Sequence, residues 1–159
     1  MRRPARRAGF TIVELVAVMI VVGVLAALGI PRLMGDKTLE QAVFADQLVT
    51  GLRRAQGIAA GHRRVVCASV ADHGVTLRLN ACGTAGLAVA GLDDADYATA
   101  DGLLSASATT LFFQPDGRIT SDAAGATAVS NGSITVSAGV PGGAAPRTIR
   151  LEGTTGYVE

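Results

Sequence analysis

A single carboxylate, Glu14, interrupts an otherwise uncharged apolar run from Phe10 to Ile30, directly after a basic leader that ends Arg6-Arg7-Ala8-Gly9. An acid near the middle of a bilayer costs about 2.5–3.5 kcal/mol on insertion scales, and less near an interface, so Glu14 needs a partner. Cutting the chain after Gly9 would supply one. The new α-amino group on Phe10 would be a cation within about one helical turn of Glu14, or of the same residue in a neighbouring chain. The two cysteines, Cys67 and Cys82, form the second group with chemistry. The third is basic: Arg53, Arg54, His62, Arg63 and Arg64, with Arg147 and Arg150 near the end of the chain. Solvated charge and the pull of a helix C-terminus on cations account for most such clusters, so an anionic ligand is the less favoured reading. Asp93, Asp94, Asp96 and Asp101 lack the spacing of an EF-hand loop and read as solvated acids. No phosphate loop, nucleophile elbow or His-carboxylate-nucleophile set can be assembled, so the reading is of a chain that is not an enzyme, with no cofactor, metal or small-molecule substrate.

The elements that must position these groups begin with the apolar run. At about 1.5 Å per residue, a helix from Phe10 to Ile30 spans the roughly 30 Å hydrocarbon core. Arg2, Arg3, Arg6 and Arg7 precede it, and Arg32 and Lys37 follow, which favours a cytoplasmic N-terminus and an exported remainder. The full chain has 14 Lys+Arg against 13 Asp+Glu; without the four leader arginines, 10 face 13, a net charge of about −3. That balance argues against nucleic-acid binding through overall charge. Export favours a Cys67–Cys82 disulfide, worth about 3 kcal/mol for a loop of this length. A thiol metal site would need more ligands than His62 and His73 provide.

Beyond Pro31, apolar residues at Leu39, Ala42 or Val43, Leu48, Leu52, Ala55 and Ala59 predict an amphipathic continuation of one long helix to about residue 60. Pro31 predicts a kink or unwound stretch near Gly29 to Gly35, and Gly61 a C-cap. Alternation then takes over. Residues 64–70 and 75–79 predict a hairpin around a three-residue loop, Asp72-His73-Gly74, with glycine left-handed and Cys67 opposite Leu79. Cys82 lies three residues further on, so the chain must bend back after Leu79. Leu111-Phe112-Phe113 and Arg118-Ile119-Thr120 predict a second hairpin about Gln114-Pro115-Asp116-Gly117. Residues 133–137, 147–151 and 157–158 predict three more strands, and Gly83 to Ala108 a long surface loop with at most one helical turn.

Gly9-Phe10-Thr11-Ile12-Val13-Glu14-Leu15, followed by an apolar run closing at Ile30-Pro31, resembles the class III signal of type IV pilins and type II secretion pseudopilins. The Phe-Phe-Gln-Pro-Asp-Gly-Arg turn at 112–118 is similar to the GspH/FimT group of minor pilins. Residues 52–56, 63–67 and 149–158 resemble the minor pilins of mannose-sensitive haemagglutinin (MSHA) pili. The resemblance implies an α+β fold, a long N-terminal helix packed on an antiparallel β domain. Its divisions would be a leader at 1–9, a membrane and filament-core helix at 10–31, an amphipathic half at 32–61 and a periplasmic β domain at 62–159.

It further implies cleavage after Gly9 by a prepilin peptidase, N-methylation of Phe10, and assembly through Glu14. The implied location is the bacterial inner membrane, single-pass, then a pilus or pseudopilus filament. The implied partners are the prepilin peptidase and other major and minor pilins or pseudopilins. Nucleic acid is the alternative partner, as for FimT-type pilins that take up DNA through a C-terminal Gly-Arg-x-Arg stretch. Here Gly156-Tyr157-Val158-Glu159 stands at that end and departs from the pattern. Retention of Glu14 points away from the extreme tip, where family members tend to lack it.

Overall fold

The computed structural model describes residues 11–33, 37–139 and 145–159, with the side chains of 26–33 left aside. The first helix, α1 (Ile12–Leu33), begins where Thr11 caps it, and its helical backbone continues through Pro31 to Leu33. Residues 34–36, where the kink or unwinding was expected to extend, lie outside the described residues. The second helix, α2 (Lys37–His62), belongs to a compact unit spanning Lys37–Glu159, and α1 to a separate unit. The second helical half therefore groups with the β domain. Among the described residues no helix is long and apolar enough to cross a membrane. The described side chains of α1 stop at Leu25, inside the expected span of 10–31.

In α2 the residues Gln41, Phe44, Ala45, Leu48, Gly51, Leu52, Ala55, Ile58 and Ala59 are buried. Their spacing of three and four residues is a single helical stripe. Leu39 and Val43, expected on that face, are 65% and 50% exposed. Phe44 is larger and sits in phase with Leu48, and Gln41 occupies the buried turn instead. Its Nε2 donates to the carbonyls of Val136 at 2.8 Å and Ala145 at 3.3 Å, so this buried amide is satisfied.

The strands form two antiparallel sheets. The first contains β1 (Val66–Ala71), β2 (Gly74–Leu79), β3 (Leu87–Ala88), β5 (Thr109–Phe113) and β6 (Ile119–Thr120), ordered β3-β2-β1-β5-β6. The second contains β4 (Leu104–Ala106), β7 (Gly132–Ala138), β8 (Arg147–Glu152) and β9 (Tyr157–Val158), ordered β4-β7-β8-β9. Helix α2 contacts strands of both sheets, and one core joins Phe44, Leu48 and Leu52 to Val66, Phe113, Ile134 and Ile149. The sheets meet where the Ile119 N–H donates to the Gly153 carbonyl at 2.8 Å. A Cβ on Gly153 would lie 2.4 Å from the carbonyl oxygens of Ile119 and Val129, so only glycine fits that junction.

Three expectations change. The segment from Gly83 to Ala108 is not one surface loop: it holds a 3₁₀ turn (Gly83–Ala85), β3 and β4, with Leu104 and Ala106 buried. The first hairpin turns through two residues, because Gly74 pairs with Ala71 and does not have positive φ. Glycine is required there for space, since a Cβ would lie 2.7 Å from the Tyr97 carbonyl oxygen. The register moves with it, so Cys67 faces Arg78 and Val66 faces Leu79. Helix α2 ends past Gly61: Arg63 takes the left-handed position (φ 50°), and the Arg64 N–H donates to the Ala59 carbonyl at 3.2 Å. That bond belongs to a Schellman closure, achieved here without glycine.

Candidate functional site

Gly9 and Phe10 lie outside the described residues. The site they were expected to form with Glu14 is visible from Thr11 onward. Thr11 Oγ1 accepts the Glu14 N–H at 3.2 Å, and the Thr11 carbonyl accepts the Leu15 N–H. Thr11 is thus the N-cap of α1, with Glu14 at its third position, the spacing of a capping box. A carboxylate in the first turn also complements the helix dipole. Sequence reading missed this second, local role for Glu14, although Thr-x-x-Glu is its signature. The described side chains of α1, Thr11 to Leu25, are all exposed, Ile12 at 83% and Met19 at 66% among them. A helix that is apolar on every side requires an apolar surrounding, lipid or other helices.

The basic residues divide. Arg53, Arg147 and Arg150 line one groove of about 480 Å³ between α2 and β8, together with Asp46, Val49, Thr148 and Glu159. Arg53 donates from Nη2 to the Val158 carbonyl at 2.9 Å. Arg147 has the strand parity of buried Ile149 and Leu151, and its guanidinium lies 3.2 Å from the Asp46 carboxylate. Arg150 has the opposite parity, so the two strand arginines do not share one face of β8. Glu159 accepts a 2.7 Å hydrogen bond from the Tyr157 hydroxyl, which holds the Tyr157 pKa above its usual value. Arg54, Arg63 and Arg64 are exposed and do not line this groove, and Arg64 instead borders a cavity with His62, Ile58 and Leu79.

Cys67 and Cys82 are joined, with 5.4 Å between their Cα atoms. The reversal that permits this is at Asn80, which has φ 68° and donates its N–H to the Val65 carbonyl at 2.8 Å. Asparagine tolerates the left-handed region better than most side chains. The acidic loop is held by its own contacts: Asp94 meets Arg78 at 2.6 Å, and Asp96 accepts the Asp93 N–H at 2.9 Å. Among the described residues no group of three or more His, Cys, Asp or Glu is placed to hold a metal ion.

Comparison with known proteins gives two matches. Residues 4–30 match the family model described as the prokaryotic N-terminal methylation motif. No curated protein matches the chain. Among solved structures, the type IV minor pilin FimU of Pseudomonas aeruginosa superposes with a TM-score of 0.55 at 15% identity, covering 77% of this chain and 89% of that one. The chain therefore carries a prepilin-type methylation motif ahead of a domain with the α+β fold of a type IV minor pilin.

Proposed function

We propose that this protein is a minor pilin, cut after Gly9, N-methylated on Phe10 and assembled into a type IV filament. The observation that carries the proposal is the joint occurrence of the methylation motif at residues 4–30 and a pilin fold across the following domain. In the membrane, residues 10–31 would anchor the chain, with the β domain in the periplasm. In the filament, Glu14 would meet the Phe10 amine of a neighbour, and removing one partner of an ion pair in apolar surroundings leaves an uncompensated buried charge that destabilises the contact. The resemblance of residues 52–56, 63–67 and 149–158 to MSHA minor pilins supports an MSHA-like system, with MshC the most similar of them. These stretches form the end of α2, its passage into β1, and the β8–β9 turn. A type II secretion pseudopilus is the other system with this processing. DNA capture would draw on the groove arginines, but Asp46 and Glu159 share that groove.

Intact-mass analysis of the protein from cells with and without the prepilin peptidase tests the processing. The expected product begins at Phe10 and carries one added methyl group; an unprocessed N-terminus in peptidase-positive cells overturns it. Glu14→Ala should insert into the membrane at normal levels and fail to enter filaments. Normal incorporation would exclude the proposed pairing.

A further inference from the structure

The end of α2 holds a concave site that is both apolar and cationic. Ile58, Leu79, Val89 and Ala90 line a cavity of about 460 Å³ together with His62 and Arg64. Ile58 and Val89 are buried and Leu79 is half-buried, so they form its floor, while His62, Arg64 and Ala90 are exposed. Three elements converge to make it: Ile58 lies on the buried stripe of α2, Leu79 ends β2, and Val89 follows β3. Arg63, in the left-handed region, turns the chain between the two cationic residues.

Neither His62 nor Arg64 has a side-chain hydrogen bond or ion pair among the described residues, and no acid lines the cavity. The groove beside β8 differs on both counts, since Asp46 engages Arg147 there and Glu159 shares the lining. The helix dipole accounts for cations at this end of α2, and it does not account for the apolar floor next to them. A ligand that matches both features carries a negative charge beside an apolar group. Nucleic acid would answer the charge and leave the floor uncovered, with no aromatic side chain in the lining to stack a base. A carboxylate next to an aliphatic residue of a peptide meets both, because a guanidinium takes a carboxylate in a two-bond fork.

Position in the domain points to the source of that peptide. The 26 residues of α2 place the cavity about 39 Å along the helix from Lys37, where the chain enters this unit. Open helical filaments are built from head-to-tail contacts between unlike faces, so the end of a domain is where a successive subunit bears on it. We propose that the cavity receives an aliphatic side chain and an adjacent carboxylate from a neighbouring subunit of the filament, with Arg64 and His62 holding the carboxylate. The proposal rests on the filament reading given above.

The test uses the full chain in cells that assemble the filament, with the photoreactive residue p-benzoylphenylalanine at Ala90. The expected adduct is a peptide of another filament subunit in which Asp or Glu adjoins an aliphatic residue. His62→Glu with Arg64→Glu should lower that adduct by about tenfold or more. Arg54→Glu, an equal change of sign on the same helix but outside the cavity lining, should leave it unchanged. An intact Cys67–Cys82 bond and unchanged protease resistance would show that each variant is folded. If the reversed pair does not fold, His62→Gln with Arg64→Gln decides, with an expected loss of about threefold. A folded reversed variant that is lost from filaments, while Arg54→Glu is retained, counts as the same loss of contact. Filaments that contain the chain but give no adduct, or an adduct to lipid or nucleic acid, overturn the proposal and leave the filament reading standing. A folded reversed variant that cross-links normally, or an equal loss in Arg54→Glu, also overturns it. Absence of the unlabelled wild-type chain from filaments overturns both.

Discussion

Asp122 organises the turn after β6 much as Thr11 starts α1, by receiving backbone N–H groups on a side-chain oxygen. Its carboxylate accepts the N–H of Ala126 at 3.0 Å and of Thr127 at 2.7 Å. These two bonds, Ala126 first, hold its pKa below the usual Asp value of about 3.9. A depressed folded-state pKa stabilises the native state above the unfolded-state value, and that contribution disappears as pH falls through the folded-state pKa. Wild type should therefore melt above Asp122→Asn near neutral pH, and the gap should close as pH drops below about 4. Melting curves across that range check this, and a gap independent of pH would refute it. Asp122 anchors a neighbourhood rather than a single bond. Its own carbonyl accepts the Thr120 hydroxyl, and buried Gln114 donates to Thr120 Oγ1 at 2.8 Å.

At the scale of elements, α2 is tied down at both ends by different devices. Its first turn is held by Lys37, which donates to Glu40 and, at 2.7 Å, to Asp101 just before β4. The Lys37 ammonium in turn keeps the Asp101 carboxyl below its ordinary range. Its last turn closes through Arg63 in the left-handed region, a conformation that costs a non-glycine residue about 1–2 kcal/mol. Arg63→Gly should then stabilise the domain by about 0.5–1 kcal/mol, since glycine relieves the strain and loses some of the gain through a more flexible unfolded chain. Urea unfolding should show a higher midpoint at unchanged slope; a lower midpoint would mean that the Arg63 side chain contributes more than its backbone costs.

For the whole molecule, the disulfide and the helix hold together strands that are weakly paired by themselves. Strands β3, β6 and β9 are two residues each, too short to be stable except against a packed neighbour. Cys67 sits fully buried on β1, the central strand of the first sheet, and its bond to Cys82 fastens the chain just before the 3₁₀ turn and β3. Reduction, or Cys67→Ala with Cys82→Ala, should lower stability by about 3 kcal/mol for this 15-residue separation. Unfolding curves with and without reductant measure it, and coincident curves would exclude a stabilising role.

The sequence by itself determined what depends on contiguous residues. The methylation motif at residues 4–30 and the alternation of 133–137 and 147–151 are local patterns, so motif and element type are readable in place. The second hairpin was legible for the same reason: Pro115 and Gly117 set the turn, and the Phe113–Ile119 pairing follows. Only the tertiary structure decided how the strands divide into two sheets, because β4 and β3 lack a pattern of their own and are strands only through β7 and β2. It likewise decided which arginines meet. Arg53 and Arg150 are far apart in sequence, and their common groove exists because α2 packs beside β8. Register was the intermediate case: a one-residue difference at Gly74, set by the close approach of Tyr97, moved Cys67 from Leu79 to Arg78. Pairing over long sequence separations depends on packing and available space, and no local run of residues encodes either.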